Sequence, residues 1–180
     1  TAEDMLIGSM LGEEVGDFLG PSGLFVRDEL IYIVDTGNNR IVVVDKSFKL
    51  VRIIKSVVID GEESFFNQPT DVFVDRNGDL YICDKLNQRV IHTDKDLNLI
   101  KLYTKPTDET ILEKSDFLPI KCVVDTSGRL FLMAGNVNKG FMQFEKDGSF
   151  SVYVGANPVK ATLFQVIKKR LMTKEQRERM

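Results

Sequence analysis

Gln68-Pro69-Thr70-Asp71-Val72-Phe73-Val74-Asp75-Arg76-Asn77-Gly78-Asp79-Leu80-Tyr81-Ile82-Cys83-Asp84-Lys85-Leu86-Asn87-Gln88-Arg89-Val90 decides the fold, because the chain writes this stretch three times. The first copy runs from Pro21-Ser22-Gly23-Leu24-Phe25-Val26 through Leu30-Ile31-Tyr32-Ile33-Val34-Asp35-Thr36-Gly37-Asn38-Asn39-Arg40-Ile41. The third runs from Pro119-Ile120-Lys121-Cys122-Val123-Val124 through Leu130-Phe131-Leu132-Met133-Ala134-Gly135-Asn136-Val137-Asn138-Lys139. Prolines at 21, 69 and 119, and basic residues at 40, 89 and 139, set a period near 50 residues. A motif held at such a period marks an array of supersecondary units.

In the second copy, Thr70 to Asp75 alternates and is rich in Val and Phe, as a half-buried strand is. Asp75 to Asp79 reads as a hairpin loop whose Gly78 can take positive φ. It lacks the bidentate Glu and the ligand count of a calcium loop. Leu80 to Cys83 is the second strand, Asp84 to Gln88 the next turn, Arg89 to Asp94 the third strand and Asn98 to Tyr103 the fourth. The third copy repeats the hairpin as Asp125-Thr126-Ser127-Gly128-Arg129, and the first shortens it to Arg27-Asp28-Glu29. Polar linkers at 55–67 and 105–118 are longer than the turns inside a repeat. Three tight turns and then one long excursion suit a radial blade, whose outermost strand must return to the axis.

The predicted fold is therefore all-β: a β-propeller of four-stranded antiparallel blades at about 21–55, 69–104 and 119–155. Residues 1–20 form a lead-in, and the propeller segment runs over 21–158. Beyond it, Leu163, Val166, Ile167 and Leu171 share one face at helical spacing, which predicts an amphipathic helical segment over 159–180. A helix packed on the propeller is preferred over a membrane-surface helix.

The 180 residues carry a net charge of -3 with 43% hydrophobic residues, a globular composition that argues against a nucleic-acid partner. No apolar run approaches the roughly 20 residues that span a bilayer. Two cysteines, Cys83 and Cys122, make no disulfide framework and read as buried free thiols. The single histidine, His92, lies in a strand and reads as structural.

The Asp35 to Ile41 and Asp84 to Val90 segments, with the Pro-x-x-Val/Leu-x-Val strand before them, resemble the NHL-repeat family. The resemblance spans about residues 14 to 155 and implies a propeller that in this family usually has six blades. It also implies a structural turn network of Asp35, Asn38 and Arg40, and of Asp84, Asn87 and Arg89, binding neighbouring strands together. A carboxylate facing a guanidinium is suited to a bidentate, charge-assisted pair. The third copy departs from the pattern: Ala134, Val137 and Lys139 replace the Asp, Asn and Arg, so blade 3 is expected to have a looser second turn. The Thr173-Lys174-Glu175-Gln176-Arg177 ending resembles bacterial surface or secreted NHL-type proteins, which implies an extracellular or cell-surface location.

Three blades do not close a six-bladed ring, and an open arc exposes apolar sheet faces. Either further blades follow the 159–180 segment, the preferred reading, or a homodimer completes six blades. The functional expectation is a non-catalytic binding or scaffold module presenting loops to a protein, peptide or glycan. No nucleophile stands beside a usable base, no His/Cys cluster has metal-ligand spacing, and no cofactor is expected. The alternative is part of a metal-dependent propeller hydrolase or lyase, similar to lactonase-like enzymes and an amidating lyase with a divalent metal on the axis. Such a metal takes oxygen ligands from the starts of the inner strands. The equivalent positions here are Gly23, Asp71 and Lys121, which makes Asp71 and Lys121 the axial ligand candidates.

Overall fold

Each repeat folds into its own antiparallel meander, because its apolar residues alternate along short strands broken by Asp, Asn and Gly turns. The computed structural model describes residues 11–12, 14–106, 116–135, 137 and 140–155. Blade 1 comprises β1 Gly23–Arg27, β2 Leu30–Asp35, β3 Arg40–Asp45 and β4 Leu50–Ile54. A hairpin follows, β5 Ser56–Ile59 and β6 Glu62–Phe65. Blade 2 comprises β7 Pro69–Val74, β8 Leu80–Asp84, β9 Arg89–Thr93 and β10 Leu99–Tyr103. Blade 3 comprises β11 Leu118–Val124, β12 Leu130–Gly135, β13 Phe141–Phe144 and β14 Phe150–Val154. Every blade is a four-stranded sheet whose strand order follows the sequence.

The blades stack on their faces, with β7 lying between β1 and β11 so that first strands meet at the centre. Strand periodicity shows why such a stack buries so much. In β3, Ile41 and Val43 face blade 2, whereas Val42 and Val44 face Val15 and Phe18 of the lead-in. In β8, Leu80 and Ile82 join the core shared with blade 1, and Tyr81 and Cys83 join the core shared with blade 3. A middle strand is thus apolar on both sides, and each fully buried Ile or Leu contributes about 2 kcal/mol of transfer free energy.

Antiparallel connection puts the turns on two opposite faces. The β2–β3 and β8–β9 turns and the linkers gather on one, here the linker face. The first and third turns of each blade gather on the other, the hairpin face. Four of the latter turns repeat one device: Asp45, Asp75, Asp94 and Asp125 each accept the backbone N–H groups two and four residues ahead. The carboxylate thereby replaces the backbone partners that the turn lacks.

The polar linker at 55–67 holds the β5–β6 hairpin. Its Asp60-Gly61 corner has φ of 53° and 84°, the positive pair that a two-residue primed turn demands. Val57 fixes the hairpin by entering the core between blades 1 and 2. The expected 159–180 helix lies outside the described residues, as do Asn136, Asn138 and Lys139 of the third copy's second turn. Among the described residues no helix is long and apolar enough to cross a membrane.

Candidate functional site

On the linker face, Asp35 ends β2 directly opposite Arg40, which begins β3. Arg40 donates through Nε to Asp35 Oδ2 at 2.7 Å, and Asn38 Nδ2 donates to the same oxygen at 2.8 Å. The other oxygen, Oδ1, accepts the Leu19 N–H at 2.8 Å. Blade 2 repeats this with Arg89 Nε and Asn87 Nδ2 on Asp84 Oδ2, and the Asn67 N–H on Oδ1. The expected bidentate pair is therefore corrected. One carboxylate oxygen serves the strand turn and the other clamps the incoming linker, while the guanidinium's NH2 reaches back to a linker carbonyl, of Asp17 or Phe65. Blade 3 has Ala134 at the Asp position, and there the Phe117 N–H goes to the Gln88 side chain of blade 2. In blades 1 and 2 these bonds join the second turn to the segment that precedes the blade.

At the central end of the first strands, Gly23, Asp71 and Lys121 come together. Lys121 Nζ lies 2.9 Å from Asp71 Oδ1, and the Cys122 N–H donates to Asp71 Oδ2 at 3.0 Å. Lys121 Nζ also reaches the Ser22 carbonyl at 3.3 Å, so one ammonium links β7 and β11 to the residue that precedes β1. A Cβ at Gly23 would stand 3.0 Å from the Thr70 carbonyl and 3.2 Å from Asp71 Oδ1, which explains the glycine there. Register shifts at Thr70 in β7 and Ile120 in β11 re-aim these strand starts. Among the described residues this end does not suit a hard divalent cation. It offers a single carboxylate, with an ammonium against it, where a hard cation takes several oxygen ligands.

The hairpin face carries a cleft of about 970 Å³ between blades 2 and 3. Phe73 and His92 supply its part-exposed aromatic wall over the buried Tyr81 and Tyr103, and Arg27, Asp79, Lys101, Asp125 and Lys146 its charged rim. His92 stacks on Tyr81 at 4.0 Å between centroids, with its Nε2 3.4 Å from Asp79 Oδ2. Burial pushes the His92 imidazole below its usual range, against the pull of Asp79. Burial likewise pushes the Tyr81 and Tyr103 phenols up. The backbone N–H of Arg129 leads the groups that hold Asp125 below the usual carboxylate range. Near neutrality the cleft thus presents a neutral imidazole and neutral phenols inside a ring of both charges. Among the described residues the side-chain hydrogen-bond partner of His92 is Asp79.

Asp71 and Lys121 are legible from the aligned strand starts, whereas the cleft is not. The repeat itself is the signal for it, since Tyr32 and Tyr81 occupy equivalent strand positions and each lines an opening between blades. Cys83 and Cys122 are free and buried. Their equivalence to different strands concealed that both approach Asp71.

No family model matches the chain. Over 107 residues, 57% of its length, the chain is 30% identical to a Caenorhabditis elegans protein described as "Probable peptidyl-alpha-hydroxyglycine alpha-amidating lyase". It spans 30% of that protein. Among solved structures it is similar to a catalytically inactive virginiamycin B lyase from Staphylococcus aureus, with a TM-score of 0.53 at 14% identity. That likeness covers 78% of this chain and 42% of the lyase. A second is Kuenenia stuttgartiensis hydrazine synthase, with a TM-score of 0.56 at 14% identity, covering 78% of this chain and 37% of that one. At these identities the likeness is one of fold, and the chain spans less than half of each of these proteins.

Proposed function

We propose that this chain is an NHL-like β-propeller module that binds a peptide or glycan partner in the cleft between blades 2 and 3. The observation that carries the reading is the cleft's composition: part-exposed Phe73 and His92, backed by the buried Tyr81 and Tyr103, beneath a rim of Arg27, Asp79, Lys101, Asp125 and Lys146. Aromatic faces stack on sugar rings and apolar side chains, and a rim of both charges selects orientation without demanding one net charge. A protein partner would present its chain as an extended segment to the same wall. An extracellular or cell-surface setting goes with this reading through the sequence resemblance alone.

The test is binding of peptide and glycan panels, with the bound ligand mapped by amide chemical shifts. The reading expects perturbation at Asp79, His92, Lys101 and Lys146, and a Lys101→Glu variant weakened by about 10-fold, the cost of one lost rim charge contact. Perturbation confined to Asp71 and Lys121 would contradict it.

A second reading is favoured by the amidating-lyase match. Under it, the chain is part of a propeller lyase whose active site is completed by further blades or by a second chain. The longer protein, or the dimer, would then turn over a peptidyl-α-hydroxyglycine substrate and lose that activity on chelation. Absence of turnover in the complete ring would remove this reading and leave the first standing.

A further inference from the structure

We propose that Asp71, Cys83 and Cys122 form a binding site for a thiophilic divalent cation of the zinc and cadmium class, set between the inner strands of blades 2 and 3. The three residues come from three strands. In the β7–β8 register Cys83 stands opposite Asp71, and Cys122 of β11 approaches both from the neighbouring blade. One donor atom from each lies within 4.8 Å of the other two. Tetrahedral zinc bonds, roughly 2.3 Å to sulfur and 2.0–2.2 Å to carboxylate oxygen, place donors somewhat under 4 Å apart. The set therefore needs only a small closure, not a rearrangement of strands.

The donor chemistry selects the ion. Two thiolates and one carboxylate suit zinc or cadmium, whereas magnesium and calcium require several oxygens that this pocket lacks. Orientation is built in: the Cys122 N–H and Lys121 Nζ each hold one Asp71 oxygen, leaving each a further lone pair. Charge also closes. Two thiolates, the carboxylate, a divalent cation and the Lys121 ammonium sum to zero, as do two thiols with the Asp71–Lys121 pair alone. On binding, each thiol gives its proton to solvent as its sulfur bonds the metal, so no oxidant or reductant is required. Access lies on the central side, where Asp71 and Cys122 retain slight exposure and the Lys121 side chain is 47% exposed. The site pins blade 3 to blade 2 at the end where the third copy has lost its Asp and Arg clamp.

The experiment is anaerobic titration of the reduced protein with cadmium(II), followed by the thiolate-to-cadmium ultraviolet charge-transfer band and by competition with a chelator. One equivalent should saturate the band. Cys83→Ser and Cys122→Ser should abolish it, and Asp71→Asn should weaken binding by at least about 10-fold, the low end of what even an outer-shell partner costs. Because buried substitutions can unfold the chain, cadmium-edge absorption on the unaltered protein provides a second readout, expected to show two sulfur neighbours. No band, a band that survives the double serine variant, or only oxygen and nitrogen neighbours would overturn the proposal. So would a Cys83–Cys122 disulfide in the purified protein that mild reductant leaves intact.

Discussion

Arg40 bonds a fully buried carboxylate, and that placement sets what its loss would cost. Asp35 would keep its bonds from Leu19 and Asn38 but lose its cationic partner, the only one among the described residues. Removing one member of a buried ion pair leaves an uncompensated charge, so Arg40→Ala is expected to destabilise the chain by about 3 kcal/mol. Denaturant titration measures this, and a loss indistinguishable from zero would mean that the clamp is ornamental. His92 makes a prediction of the opposite kind. Burial, its largest cause, lowers the folded imidazole below its free value near 6.5. Its contribution to stability is therefore complete above about pH 6.5 and is lost as pH falls through the depressed folded value, where only the unfolded chain readily takes the proton. His92→Gln should flatten that part of the stability profile, and an unchanged slope would place the titrating group elsewhere. Asp94, Asp125 and Asp147 are held below the usual carboxylate range by turn hydrogen bonds, so their contribution declines only in more acidic solution.

At the scale of elements, the four Asp-anchored turns show what the local sequence specifies and what it leaves to packing. The turn closing β3 puts Phe48 at φ 59°, where the equivalent turn of blade 3 has Gly148 at φ 91°. Phe48 is 62% exposed, so little packing offsets the left-handed strain. Phe48→Gly is expected to stabilise the chain by about 0.5 kcal/mol, the strain relieved less the entropy glycine adds to the unfolded state. A lower melting temperature would contradict it. The strands and turns of the blades were legible because period-2 apolar runs and Asp/Asn/Gly corners occur three times over. The β5–β6 hairpin was not, because its charged residues masked a short Ser56-Val57-Val58-Ile59 run ending in Asp60-Gly61. Cys83 and Cys122 sit in different strands of their repeats, and only inter-blade packing brings them to one carboxylate. The cleft was illegible for the same reason, since its wall is shared between sheets. Asp71 and Lys121 were found by aligning the strand starts, but their mutual ion pair depends on how β7 and β11 approach.

Among the described residues the three blades form an arc whose two ends differ. The outer face of blade 1 is covered at Val42 and Val44 by Val15 and Phe18 of the lead-in, while Leu24 and Val26 at its inner strand stay exposed. The outer face of blade 3 presents Val123, Phe141 and Val152, each about half exposed, with Met133 and Val154 beside them. The equivalent faces of blades 1 and 2 each pack against the next blade. A contiguous apolar sheet face of that kind is where a soluble chain associates. The central claim, that these repeats are blades of an unclosed propeller, is tested most directly by the solution mass of this polypeptide across a range of concentrations. The account predicts a species heavier than the 20.4 kDa chain, growing with concentration and returning to monomer in a Phe141→Glu, Val152→Lys variant. A monomer of 20.4 kDa at every concentration would contradict it, because the face would then have to be covered within the chain.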